Sequence, residues 1–242
     1  MTILAIDTST QWCSVALVNP KGGSGQPESP LSLFRHENLG PGSSQCVLDW
    51  IESLLDEAKL TLSELEAVAV GIGPGAFTGI RIGVGVGQGL AYGANLPCLP
   101  VVCLDAVALE GIQKLNLKHG DDILVAVDAR MSEVYWANYQ VDEDGLPKAL
   151  SEVLVSSPKN IKSCSENFYL VGNAAEIYPD ELAGLKSAAQ GICFEALPHA
   201  LAIATLAFKA LGRGQQIQPE DLQPIYVRDK VAQTIAERAA SQ

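Results

Sequence analysis

Apolar and polar positions come in alternating blocks along this chain, and the first block sets a theme that returns later. Ile3–Asp7 and Ser14–Val18 are apolar runs separated by Thr8, Ser9, Thr10 and Gln11, which predicts a strand, a polar turn and a second strand, with hydroxyls at the tip. Leu31–His36 predicts a returning third strand after a loop of Gly, Ser and Pro over Lys21–Pro30. The period then lengthens. After Gly40, Pro41 and Gly42, with Ser43 or Ser44 as cap, Val47, Trp50, Ile51, Leu54, Leu55 and Ala58 recur at helical spacing. Thr61 and Glu64 have capping-box spacing for a short extra turn.

The stretch Ala67–Gly93 organises the rest. Ala67–Ile72 reads as a buried strand, Gly73, Pro74 and Gly75 force a turn, and Thr78 is placed to cap a following helix in which Arg81 is the only charge before Tyr92. Strand, glycine turn and helix N-terminus form an anion-binding corner by geometry. Gly79, Gly83 and Gly87 fall four apart, and so do Gly85, Gly89 and Gly93, which leaves two sides of the helix without side chains. Each interior glycine costs about 1 kcal/mol against alanine, so close packing must hold this helix. One bare side suits a sheet; the other calls for a second helix, from this chain or a partner.

Pro97–Val102 predicts another strand and Leu104–Leu115 a helix. Then the opening theme returns: LVAVDARMSEVYWANY at Leu124–Tyr139 echoes ILAIDTSTQWCSVALV at Ile3–Val18, with Asp128 matching Asp7 at a shift of 128 − 7 = 121 residues. Two halves that begin alike follow from this, 1–105 with the partner-binding helices and 106–242, whose terminal segment is free to pack back on the first. Ala149–Val155 and Phe168–Gly172 predict strands, Pro198–Leu211 an alanine-rich helix, Pro224–Arg228 a short extended segment and Lys230–Ala240 a terminal helix.

Composition narrows the class. With 242 residues, 48% of them hydrophobic, the chain can bury a sizeable core. A net charge of -12 argues against gripping nucleic acid unaided. The six cysteines show no C-x-x-C framework and suit free thiols in a reducing, cytoplasmic setting, while His36, His119 and His199 form no ligand pair at helical spacing, so no metal site is expected. Met1–Ile6 is too short for a signal peptide, and the uncharged run Ile82–Leu104 holds too many Gly and Pro residues to read as a membrane span.

The glycine stretch fails two phosphate-loop tests. A Walker A loop needs Lys and then Ser or Thr after its last glycine, whereas Ile80 and Arg81 follow Gly79; Gly71, Gly73 and Gly75 miss the dinucleotide spacing. Asp7, Thr8 and Ser9 facing Asp128 across a cleft admit two readings. They hold a hydrated cation and a nucleotide phosphate, or the aspartates accept amides within their own turns. Ala129 and Arg130 after Asp128 favour the second reading there, with Arg130 free to pair with a carboxylate or a partner's phosphate. No nucleophile and base can be assembled, so no catalytic residue is assigned.

IDTS at Ile6–Ser9, GPGAFTGIRIG at Gly73–Gly83, VDARMSEVYWA at Val127–Ala137 and PIYVR at Pro224–Arg228 resemble the TsaB (YeaZ-like) family, subunits of the bacterial machinery for threonylcarbamoyladenosine (t6A) in tRNA. The resemblance implies an actin-like α/β fold of two similar halves (the ASKHA, ribonuclease H-like group). It implies a non-catalytic scaffold and activator for the related transferase TsaD, which modifies adenosine 37 of tRNAs reading ANN codons. The ATPase TsaE would join the pair, tRNA would be met only through the complex, and no membrane would be involved. It further implies no cofactor of the chain's own, with ATP or ADP and Mg at the junction with TsaD as the one candidate. In TsaD a metal is held by an H-x-x-x-H motif, and the corresponding positions here are Cys103 and Val107. Family dimers, with TsaD or with a second copy, meet through the first two long helices. From these the expected contact residues are Val47, Trp50, Ile51, Leu54, Ile80, Gly83, Val84, Gly87, Leu90 and Ala91. The rival readings are a stand-alone actin-like ATPase or kinase and a glycoprotease-like hydrolase.

Overall fold

A computed structural model describes residues 1–20 and 30–228. The expected loop after Lys21 and the expected helix after Lys230 lie outside the described residues. The first half opens with three antiparallel strands, β1 (Ile3–Asp7), β2 (Trp12–Asn19) and β3 (Leu31–Asn38), followed by α1 (Ser43–Ala58). Then come β4 (Ala67–Gly71), α2 (Phe77–Ala94), β5 (Cys98–Val101) and α3 (Cys103–Leu115). Strands β4 and β5 join parallel to β1, giving the order β3-β2-β1-β4-β5.

The second half repeats this plan with β6 (Asp122–Asp128), β7 (Val134–Val141), β8 (Pro147–Ala149), β10 (Phe168–Val171) and β11 (Gly191–Cys193) in the order β8-β7-β6-β10-β11. Its first three strands are again antiparallel and its last two again parallel. The strand expected over Ala149–Val155 is two short ones, β8 and β9 (Leu154–Ser156), both paired to β7. A duplicated sheet of this order is the actin-like fold.

The repeat is not a uniform shift. Asp7 pairs with Ser14 and Asp128 with Val134, so β6 follows β1 by 121 residues while β7 follows β2 by 134 − 14 = 120. The second turn is one residue shorter. Because side chains alternate faces along a strand, a constant shift of 121 assigns every β7 residue to the wrong face. Tyr135, not Trp136, occupies the place of Val15.

Period-two alternation sorts each strand between two cores. Leu4, Ile6, Val15 and Leu17 pack under α1 and α2 through Val47, Ile51, Leu54, Ile80 and Val84. On the opposite face Ile3, Ala5, Ala16, Ala67 and Ala69 meet the alanines of α6 (Ala200–Gly212), small residues on both sides allowing a close approach. That helix belongs to the second half in sequence but covers the first half's sheet. The Ser14 hydroxyl accepts the Ala200 amide at 2.9 Å and His199 caps the helix at Leu201, fixing its start. Helix α3 lies between α6 and the second sheet, where Val107, Ala108 and Ile112 pack on Val125, Tyr139 and Val171. Short helices α4 (Ala174–Ile177) and α5 (Ala183–Ala188) cover the far face. The 105/106 division falls inside α3.

Of three caps expected from sequence, one forms as expected and two are displaced. Thr61 and Glu64 do form their capping box, with the Thr61 amide donating to the Glu64 carboxylate at 2.7 Å. Gly42 rather than a serine stands at the N-cap of α1, and Ala76 rather than Thr78 at that of α2. The helix starts two residues earlier than a Thr78 cap would set it, and the Ala76 amide donates to the Ser9 carbonyl at 2.6 Å.

Candidate functional site

A cleft of about 1240 Å³ opens between the halves, and the two Asp-bearing turns reach it from opposite sides. Thr8, Ser9 and Gly75–Gly79 line one wall; Asp128, Arg130 and Asn173 line the other. The structure therefore brings together Thr8, Ser9, Asp128 and Arg130, as their strand positions require. Asp7 lies behind the wall.

Each aspartate is engaged by its own turn. The Asp7 carboxylate accepts the Ser9 amide at 3.1 Å and the Ser9 hydroxyl at 3.0 Å, and the Cys103 thiol donates to its second oxygen at 3.4 Å. It is fully buried, and burial pushes its pKa up to about 6 in spite of those hydrogen bonds. Burial also raises the Cys103 thiol well above its usual value, with the nearby Asp7 charge acting in the same direction. Asp128 repeats the pattern: it accepts the Arg130 amide at 3.0 Å, the same i to i+2 relation, and the Tyr178 hydroxyl at 2.7 Å.

The glycine-rich corner is filled by the chain itself. The Thr8 hydroxyl donates to the Gly79 carbonyl at 2.6 Å, and a Cβ at Gly75 or Gly79 would collide with the Ser9 or Thr8 backbone. These glycines admit the hairpin tip where a phosphate loop would admit a phosphate. A magnesium nucleotide does not fit this corner: its acid is capped and sealed, and its close-approach space is taken. Cys103 and Val107 are both buried, and among the described residues no group of three or more His, Cys, Asp or Glu is placed to hold a metal.

Two sequence motifs that looked separate meet across the cleft mouth. The Ile225 amide donates to the Ile72 carbonyl of the first half at 2.8 Å. Arg228 donates to the Ala129 carbonyl of the second at 3.1 Å and pairs with Glu133. Between those anchors Arg130, Met131 and Ser132 all adopt left-handed backbone, with φ of 61, 54 and 57°. Three such non-glycine residues in succession persist only where their surroundings hold them, and Arg228 supplies part of that hold. Spacing alone could not pair residues 97 to 99 apart.

The rows of glycine on α2 separate cleanly. Gly83 and Gly87 face the sheet, where a Cβ would press on the Thr8 hydroxyl or Val70; Gly85, Gly89 and Gly93 are exposed, with nothing within 4 Å of where a Cβ would stand. The contact residues expected from sequence are corrected accordingly. Val47, Ile51, Leu54, Ile80, Gly83, Val84, Gly87 and Ala91 are buried beneath the helices and out of a partner's reach; Trp50 and Leu90 remain half-buried. The accessible face consists of the outer glycine row with Arg81 and Tyr92, the latter 75% exposed, and of Leu48 on α1. Between α1 and α2 lies a groove of about 430 Å³ lined by Leu48, Leu55, Leu62 and Leu90. No helix among the described residues is long and apolar enough to cross a membrane.

Comparison with known proteins agrees with this architecture. Residues 41–235 match the TsaD family, tRNA N6-adenosine threonylcarbamoyltransferase. The chain is 35% identical over 238 residues to the tRNA threonylcarbamoyladenosine biosynthesis protein TsaB of Escherichia coli, covering 96% of each. It is 32% identical over 240 residues to the protein of the same name from Haemophilus influenzae, covering 96% of this chain and 95% of that one. The solved structure of YeaZ from Pseudomonas aeruginosa superposes with a TM-score of 0.78 at 32% identity, covering 93% of this chain and 99% of that one. Sequence identity and fold together show that the chain belongs to the TsaB (YeaZ) family, within the wider group that TsaD typifies.

Proposed function

We propose that this chain is a non-catalytic subunit of tRNA threonylcarbamoyladenosine biosynthesis, docking on a TsaD transferase through the outer faces of α1 and α2 and supporting its activity together with the ATPase TsaE. The observation that carries the reading is the outer glycine row. Gly85, Gly89 and Gly93 give α2 a flat, open flank that no element among the described residues covers, and glycines that each cost the helix about 1 kcal/mol against alanine suit a close neighbour on that side. The sealed Asp7 and the filled glycine corner support a scaffold in which any nucleotide sits at the junction with TsaD and not in this chain's own cleft. Membership of a family whose relatives carry the name of this biosynthesis supports the pathway.

The test is reconstitution of tRNA modification with TsaD and TsaE, with and without this chain, alongside Gly89→Leu. Modification should depend on the chain, and the variant should fold but fail to co-purify with TsaD and fail to stimulate it. Modification at full rate without the chain would overturn the reading. So would ATP turnover by the isolated chain that Asp7→Asn abolishes, which would establish the stand-alone ATPase instead.

A further inference from the structure

We propose that Arg81 is a preformed carboxylate socket at one end of the docking face, filled in the complex by an acidic side chain of the partner subunit; this rests on the docking reading above. Arg81, Gly85 and Gly89 follow one another at four-residue spacing and are all exposed, so the arginine stands on the same flank as the bare row. It is the only charged residue in α2.

Its guanidinium is held before any partner arrives. The guanidinium carbon lies 3.8 Å from the centre of the Phe77 ring and 5.6 Å from that of Tyr226, and Nε donates to the Tyr226 hydroxyl at 2.8 Å. With Nε engaged and one face stacked, the edge bearing the two terminal nitrogens is the free one, and that edge matches a carboxylate in bidentate geometry. Among the described residues no acceptor or carboxylate meets those nitrogens. The contrast within the chain is informative. Of the other four arginines among the described residues, Arg35 pairs with Glu57, Arg130 with Asp128 and Arg228 with Glu133, and only Arg213 also lacks an ion pair, in a chain where 28 acids face 16 bases. An arginine immobilised by two rings without a carboxylate amid such an excess is complementary to an acid supplied from outside.

Charge also identifies the source. Beside α2, α1 carries Asp49, Glu52, Asp56 and Glu57 and no base. A polyanion laid over this face would be repelled there, and a protein with bases to set opposite α1 suits it better than a second copy, whose own α1 is equally acidic. A different protein, with one acid opposite Arg81 and bases opposite α1, satisfies both helices. Because the stacked guanidinium has little freedom left to lose, the pair formed on docking is stronger than one made by a loose surface arginine.

The experiment measures the affinity of the full chain for purified TsaD at about 50 and about 500 mM salt. Arg81→Gln should weaken binding about 10- to 100-fold at low salt and flatten its salt dependence, and Tyr226→Phe, which frees Nε, should weaken it about 3-fold. Melting temperatures should stay unchanged for both. Gly89→Leu serves as the control for the docking reading. If it abolishes binding while Arg81→Gln leaves affinity and salt slope unchanged, the socket is refuted and the docking face stands. If neither variant affects binding, both fall. Loss of self-association by Arg81→Gln with unaltered TsaD affinity would also refute the socket, assigning Arg81 to a contact between copies.

Discussion

The Thr8 hydroxyl donates to the Gly79 carbonyl at 2.6 Å, and the Thr8 carbonyl stands where a Cβ on Gly79 would have to go. Hairpin tip and helix start are thus one packed unit, and a strand-turn-helix corner suited to binding anions becomes a structural joint.

This joint separates the effects of chemically identical substitutions. Gly79→Ala should destabilise the protein by about 1–3 kcal/mol, because the added methyl must displace backbone. Gly85→Ala and Gly89→Ala, which meet nothing within 4 Å, should each stabilise the isolated chain by about 1 kcal/mol through helix propensity. Urea unfolding of the three variants checks the ordering.

Asp7 makes stability depend on pH in an unusual direction. Its folded pKa of about 6 lies above the ordinary 3.8 because of burial, so the folded state favours the protonated form. Its contribution is therefore most favourable below pH 3.8 and is lost as pH rises through 6; the shift corresponds to about 3 kcal/mol. Asp7→Asn keeps an acceptor for Ser9 and should raise stability at pH 8 by about 1–3 kcal/mol, with no gain at pH 3.5. Thermal melts across that range measure it.

His199 works the other way. Burial, reinforced by the neighbouring His36 and Lys114, lowers its pKa from 6.5 to about 4, and its neutral Nδ1 accepts the Leu201 amide at the start of α6. Its stabilising contribution is complete above pH 6.5 and is lost as pH falls towards 4. Protonation would also place a cation at a helix N-terminus, against the dipole. His199→Asn retains a capping oxygen and should remove much of the loss between pH 6.5 and 4, seen as a flatter melting profile.

The left-handed turn offers a simple relief. Ser132 is exposed with φ of 57°, and Ser132→Gly should stabilise the chain by about 1 kcal/mol by removing Cβ strain, less the added freedom of the unfolded chain. Chemical denaturation with an unchanged slope would confirm the gain; no gain would show that the turn is unstrained.

Much of this arrangement was legible in the residues. Alternation and glycine punctuation outlined β1, β2, β4, β6 and β7, and the Asp7–Asp128 echo exposed the duplication. Three features stayed hidden for physical reasons. Glycines at four-residue spacing mark two sides of α2 without saying which is inner, and the contact residues were drawn from the inner one. The discriminating signal lay beside them: Ile80, Val84 and Ala91 flank the buried row, while Arg81 and Tyr92 flank the open one. The shorter second turn was hidden because apolar residues occupy both faces of β7, so its pattern reads equally well in either register. Arg228 and the turn it braces could not be joined from sequence, since nothing local records a contact across half the chain.

Helix α6 has a consequence for how the molecule is made. Ile3, Ala5, Ala67 and Ala69 leave the ribosome early, yet the surface that shelters them is not synthesised until Ala200–Gly212 emerges. Until that helix follows, the nascent chain presents the face uncovered, and the first sheet cannot finish folding on its own residues alone.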